Sequence, residues 1–191
     1  VKLSVKSALP KIAAAALMFA GHGAFCAANL VANGDFATGD FSGWTQFGNT
    51  DSTFVSGLLS QAWFGPANTA GGIHQTLATT PGLTYHVEFL LENSQNTPAS
   101  NSYEVGWNGA TIFSAIDAAV FSQTPFSTDI VASSTSTDLR FGFVNDGGYY
   151  RLSGISVAAV PAVPEPRHLV MLLAGLGLMA TVGLNRPRRH A

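Results

Sequence analysis

The side chains able to do chemistry in this chain are few, and the flat aromatic ones stand out. Trp63 and Phe64 sit beside Gly65-Pro66 at what reads as a strand end. Tyr149 and Tyr150 are adjacent, so an extended backbone sends them to opposite faces. Exposed rings of this kind stack on the apolar faces of sugars, and these four residues form the candidate ligand-binding set. The competing reading makes each of them only a good strand former. Trp44 and Trp107 read instead as core residues. A polar set, His86, Glu88, Glu104 and Arg140, falls at positions alternating with apolar ones. On neighbouring strands they would line one sheet face, and carboxylates paired at roughly 5–10 Å could hydrolyse a glycosidic bond. The alternative is a solvated face on which Arg140 neutralises a glutamate. The solvated face is the expectation, and no residue is assigned a catalytic role.

Other chemistries find no foothold. His74 and His86 are the only histidines between residues 29 and 160, with no cysteine or short-spaced third ligand nearby, so no metal site is expected. The glycine pairs Gly71-Gly72 and Gly147-Gly148 have neither the spacing nor the lysine of a phosphate-binding loop. No nucleophile elbow occurs, and no cofactor is expected. Cys26 is the sole cysteine, which leaves the segment after it without a disulfide and dependent on packing.

The elements that must position the aromatic and polar sets follow from composition and period. Of the 191 residues, 47% are hydrophobic and 10% charged, against about a quarter charged in ordinary domains. That is too apolar for disorder. Between residues 29 and 160 there is no lysine, and two arginines face ten carboxylates, a formal charge of −8 that repels a phosphate backbone and excludes nucleic acid as a partner. This middle stretch alternates apolar and polar residues in short runs broken by Gly, Asn, Asp, Ser and Thr, which predicts an all-β sandwich. Tyr85, Val87, Phe89 and Leu91 form one inward set, and Tyr103, Val105 and Trp107 another, with Glu104, Gly106 and Asn108 opposite. Asn108-Gly109 marks a hairpin turn into a strand over 110–114. Further strands are expected near 60–64, 72–78, 126–132, 139–143 and 150–157, about eight in all. Ser133 to Thr137 reads as a loop, and 158–166 as an Ala/Pro/Val stalk.

Both ends read as addresses. Lys2, Lys6 and Lys11 precede an apolar run over 12–20 and then small residues to Ala28, the layout of a secretory signal peptide over 1–28. Cleavage follows Ala28 or, alternatively, Cys26; a lipoprotein signal fits less well because Phe25 occupies a small-residue position. At the other end Val163-Pro164-Glu165-Pro166 leads to an apolar stretch from Leu169 to Leu184 and then Arg186, Arg188 and Arg189. Sixteen residues at about 1.5 Å each span roughly 24 Å, short of a bilayer core of about 30 Å. The stretch nonetheless lacks a polar stripe and ends in arginines, which predicts a membrane helix with its tail in the cytoplasm. The three-part order resembles the PEP-CTERM sorting signal of Gram-negative bacteria. That resemblance implies recognition and cleavage by an exosortase-type protease, with Glu165 and its flanking prolines as the recognised element. It further implies delivery to the cell surface or an exopolysaccharide matrix, as in a biofilm.

A second resemblance covers most of residues 29–158. Asn33-Gly34-Asp35-Phe36 followed by Gly39-Asp40-Phe41-Ser42-Gly43-Trp44 resembles the opening of galactose-binding-like jelly rolls, the fold of many carbohydrate-binding modules. Gln75-Thr76-Leu77, Pro81-Gly82, Tyr85, Asn145-Asp146 and Ile155-Ser156-Val157 resemble later parts of that fold. The likeness implies a jelly-roll β-sandwich over 29–157, flanked by the signal peptide, by the stalk over 158–168 and by the helix and tail over 169–191. Many such domains hold calcium with an acid after the opening phenylalanine and an aspartate in the closing strand. Here Ala37 and Ser153-Gly154 stand at those places, which implies that the ion site is absent. The expected function is non-catalytic binding of neutral polysaccharide outside the cytoplasm. The alternatives are a structural surface protein with no specific sugar ligand and, more remotely, a glycoside-active enzyme.

Overall fold

A computed structural model describes residues 27–94 and 100–161; the sorting motif, the apolar stretch from Leu169 and most of the signal segment lie outside these residues. Ten strands occur in chain order: β1 Thr45–Gly48, β2 Thr53–Ser56, β3 Gln61–Phe64, β4 Gly71–Ala78, β5 Thr84–Asn93, β6 Asn101–Trp107, β7 Ala110–Ile116, β8 Phe121–Val131, β9 Ser136–Asn145 and β10 Tyr150–Ala159. They form two five-stranded antiparallel sheets, ordered β1-β4-β9-β6-β7 (the front sheet) and β2-β3-β10-β5-β8 (the back sheet). The chain passes repeatedly from one sheet to the other, as in a jelly roll. Among the described residues no helix is long and apolar enough to cross a membrane.

The inward sets read from the alternation are the core. Val87, Phe89 and Leu91 of β5 and Val105, Leu139 and Phe141 of β6 and β9 are at most 1% exposed. The aromatic members reach across the gap: Phe64 stacks on Phe143 with centroids 4.5 Å apart, and Phe89 meets Phe141 edge-on at 5.3 Å. The Asn108-Gly109 turn is present with φ of 50° and 84°, the two positive values that a tight two-residue hairpin of the I′ kind demands. In β10 the inward positions change parity, from Tyr150 and Leu152 to Ile155 and Val157. The register against β5 slips between Ser153 and Ser156, and Gly154 (φ 60°) sits in the bulge. Without that extra residue Ile155 and Val157 would face solvent.

The opening segment caps one end. Trp44 is buried, donates from Nε1 to the Asn33 carbonyl at 3.1 Å and packs on Phe36 and Phe141, which agrees with its reading as a core residue. Gln75 on β4 ties this segment down. Its Oε1 accepts from the Ala32 N–H at 2.8 Å, and its Nε2 donates to the carbonyls of Ala32 and Gly43 at 3.0 and 2.8 Å.

Three expectations need correction. Ser136 and Thr137 belong to β9 rather than to a loop: Thr137 is fully buried because its hydroxyl pairs with Thr79 Oγ1 at 2.9 Å, which removes the penalty of hiding it. Ala158 and Ala159 extend β10 by pairing with His86 and Tyr85, so the stalk starts later than residue 158. The alternation does not reveal β1 and β2, the four-residue strands at the two sheet edges.

The Gln75 clamp yields a direct test. Gln75→Leu keeps the volume and strands an N–H and two carbonyls, and should cost about 2 kcal/mol in denaturant unfolding. Thr76→Ala, exposed on the same strand, should change stability by less than about 0.5 kcal/mol.

Candidate functional site

The polar set expected on one face is divided between two. His86 and Glu88 project from β5 on the outer face of the back sheet, and Glu104 and Arg140 project from β6 and β9 on the outer face of the front sheet. Glu88 and Glu104 thus lie on opposite sides of the sandwich and cannot flank one bond. His86 is occupied locally, with Nδ1 2.5 Å from Asp129 on β8 and Nε2 3.9 Å from Glu88. Among the described residues Arg140 pairs with no glutamate; its guanidinium lies 3.6 Å from the centre of the Phe47 ring.

The outer face of the front sheet carries a shallow depression of about 330 Å³. Its floor follows from register. One row across the sheet reads Phe47, Gly72, Gly142, Glu104 and Ser114; the next reads Thr45, His74, Arg140, Gly106 and Thr111. Glycine in a strand weakens it and leaves a gap on the pleated surface. Here the gaps fall beside side chains with hydrogen-bonding capacity. Glu104 Oε1 accepts from Thr111 Oγ1 at 2.9 Å. Phe47 backs the guanidinium of Arg140, which is exposed. Outside the depression, His74 places Nδ1 2.7 Å from Asp138 and sets its ring edge-on to Phe47 at 6.2 Å. The result is a trough with an aromatic wall, a cation and a carboxylate.

Gly106 stands at the register shift between β6 and β7, and Gly142 lies beneath the tip of the Phe47 ring. Neither has positive φ. A Cβ on Gly142 would meet Phe47 Cζ at 3.7 Å and the Glu104 carbonyl at 3.9 Å, and one on Gly106 would meet Arg140 Cβ at 3.6 Å, all ordinary contacts. Gly72 differs, since a Cβ there would lie 1.9 Å from the Phe141 carbonyl. The sequence places Gly106 and Glu104 together on an outward face, yet gives no hint that Gly142 and Phe47 join them across three strands.

The four aromatic candidates separate cleanly. Phe64 and Tyr150 are 0% exposed and leave the candidate set, because β3 and β10 pair in the register Tyr150↔Phe64 with both rings inward. Tyr150 donates its hydroxyl to Asn101 Oδ1 at 2.5 Å, and burial raises its phenol well above the usual range, so it remains a neutral donor. Trp63 and Tyr149 face outward and are joined by Phe54 of β2, unforeseen in the sequence. The ring centroids are 5.5 Å apart for Phe54–Trp63, 5.7 Å for Phe54–Tyr149 and 5.4 Å for Trp63–Tyr149.

At the two positions where the resemblance implies calcium ligands, the Ala37 N–H donates to Asp35 Oδ1 at 3.2 Å, and Ser153 Oγ accepts from Gln123 Nε2 at 3.1 Å. Among the described residues no group of three or more His, Cys, Asp or Glu is placed to hold a metal ion.

No protein-family model matches the chain, and no curated protein matches it in sequence. Among solved structures it resembles the enzymatically active domain of bacteriophage CBA120 tailspike protein 4, with a TM-score of 0.51 and 14% identity over 69% of this chain and 21% of that one. The chain therefore spans about a fifth of the tailspike chain. Two carbohydrate-binding modules are also similar. One is TmCBM61, solved with β-1,4-galactotriose, at TM-score 0.49 and 15% identity over 70% of this chain and 99% of that one. The other is a CBM4 module, at TM-score 0.47 and 12% identity over 68% and 99%. The tailspike similarity shows the β-sandwich fold and no more.

If the floor glycines serve openness rather than folding, Gly106→Ala and Gly142→Ala should leave denaturant stability unchanged or raise it by up to about 1 kcal/mol, since alanine costs less entropy than glycine in a strand. Gly72→Ala is the contrast and should destabilise markedly. Loss of stability in all three variants would mean that the trough is a packing feature.

Proposed function

We propose that the domain binds neutral polysaccharide without cleaving it, in the trough on the front sheet. The observation that carries this reading is the glycine floor between the Phe47–Arg140 stack and Glu104. It leaves room for a sugar ring against an aromatic wall, with a donor and an acceptor within reach. The trough is open along the sheet, which suits a chain passing through rather than a small molecule enclosed. The other carboxylate on this face, Asp138, is four residues along β9 from Gly142, the partner of Glu104. At about 3.4 Å per residue that separation approaches 14 Å, more than the roughly 5–10 Å that glycosidase pairs use. Neutral chains are favoured because a domain with a formal charge of −8, two arginines against ten carboxylates, repels acidic ones.

The address at each end completes the proposal. The segment 1–28 directs export. Val163-Pro164-Glu165-Pro166, the apolar stretch and Arg186, Arg188 and Arg189 hold the chain in the inner membrane until an exosortase-type protease releases it to the surface or an exopolysaccharide matrix. The support is the order of motif, apolar segment and basic end, together with a domain free of lysine and cysteine between the two signals.

Titration of the full-length chain with β-1,4-galactan, xylan and mixed-linkage glucan, with hyaluronan as the acidic control, tests the binding. Weak association that tolerates salt is expected with at least one neutral chain. Gly142→Leu should weaken it about tenfold or more and Phe47→Ala about fivefold, the latter being one stacking contact. Binding to none of them would favour a structural surface protein. Binding indifferent to both variants would remove the trough.

Mass spectrometry of the cell envelope should find a mature start near Asn29 and a C-terminus trimmed near the Val163–Pro166 motif. Recovery of the intact chain from the cytosol would overturn the sorting proposal.

A further inference from the structure

The back sheet carries its own ordered row. In register across four strands stand Phe54 (β2), Trp63 (β3), Arg151 (β10) and Glu92 (β5). Each touches the next: Phe54 stacks on Trp63 at 28° between ring planes, the Arg151 guanidinium lies 4.1 Å from the Trp63 ring, and Arg151 Nη1 is 2.7 Å from Glu92 Oε1. Trp63 therefore has both faces covered and serves as a backing. Phe54, on the sheet's edge strand and 43% exposed, has no strand beyond it and keeps one ring face open. Tyr149 meets both rings from the side. It can do so because residue 65 is glycine, where a Cβ would come within 2.9 Å of the tyrosine ring.

We infer that this row is a second polysaccharide contact on the face opposite the trough, which makes the domain a two-sided cross-linker of neutral chains. The inference rests on the reading of the trough as the first contact. Two features select a sugar over an aliphatic or charged partner. The contact surface is aromatic and edge-open rather than branched-aliphatic, as suits the C–H face of a pyranose. Its one cation is already balanced by Glu92, so no net charge is offered to an anion. Because the trough and the row lie on opposite sheets, with about 10 Å between sheet planes plus the outer side chains, one short oligosaccharide cannot occupy both. Two chains can.

The test uses the full-length chain and whichever neutral polysaccharide it binds in the titration above. Calorimetry with a short oligosaccharide of that polymer should give a stoichiometry of two. A surface coated with the polymer should capture the protein, which should then capture the same polymer in soluble, fluorescent form. Phe54→Ala and Tyr149→Ala, both at the protein surface, should reduce the stoichiometry to one and abolish the second capture while the first persists. Gly142→Leu should likewise reduce the stoichiometry to one, through the other site. A stoichiometry of one in the wild type that only Gly142→Leu abolishes would overturn cross-linking and leave the trough standing. One abolished only by Phe54→Ala would overturn both the trough and cross-linking. Sedimentation that shows a wild-type dimer dispersed by Phe54→Ala would assign the row to a second copy of the chain and also overturn the inference.

Discussion

Aromatic rings that reach across the gap between the sheets fix the phase of everything outside. Phe64 against Phe143 and Phe89 against Phe141 each join a back-sheet strand to a front-sheet strand. Along a strand the side chains alternate strictly, so anchoring one residue inward determines the direction of every other until a bulge intervenes. Glu104 and Arg140 reach the front surface because Val105 and Phe141 are held beneath it. Trp63 reaches the back surface because Phe64 is held in. With the chain's one cysteine at position 26, no covalent link shares the task, and a slip of one residue at any of these anchors would exchange a surface for a core.

The same rule explains how much of the molecule the sequence reveals. The period-two runs over 85–91 and 103–107 fix both the strands and their inner faces, because each run is long enough to state its own phase. Trp63-Phe64 and Tyr149-Tyr150 are pairs in which one member must turn inward, and two residues contain no information about which. The answer comes from the pairing of β3 with β10, a relation between positions far apart in the chain. Phe47 and Phe54 lie in four-residue strands at sheet edges, where local alternation is too short to read. The division of His86 and Glu88 from Glu104 and Arg140 depends on which sheet each strand joins, and that follows from topology rather than pattern.

The two outer faces are built differently. On the front sheet the strand gives up side chains at Gly106 and Gly142, accepting weaker propensity in exchange for depth. On the back sheet nothing is removed, and the rings stack upon one another so that only the outermost presents a face. The first arrangement leaves a hollow, and the second an exposed ring at a sheet edge.

The scarcity of basic residues has a consequence for proteolysis. Proteases that cut after lysine or arginine need several residues of extended, unpaired backbone in their clefts. Between residues 29 and 160 only Arg140 and Arg151 offer such a bond, and both lie inside strands paired on each side, in β9 and β10. Removing either strand from its sheet means opening the core itself, so digestion at these bonds proceeds only through global unfolding. A domain so built resists basic-residue-directed proteolysis for as long as it stays folded.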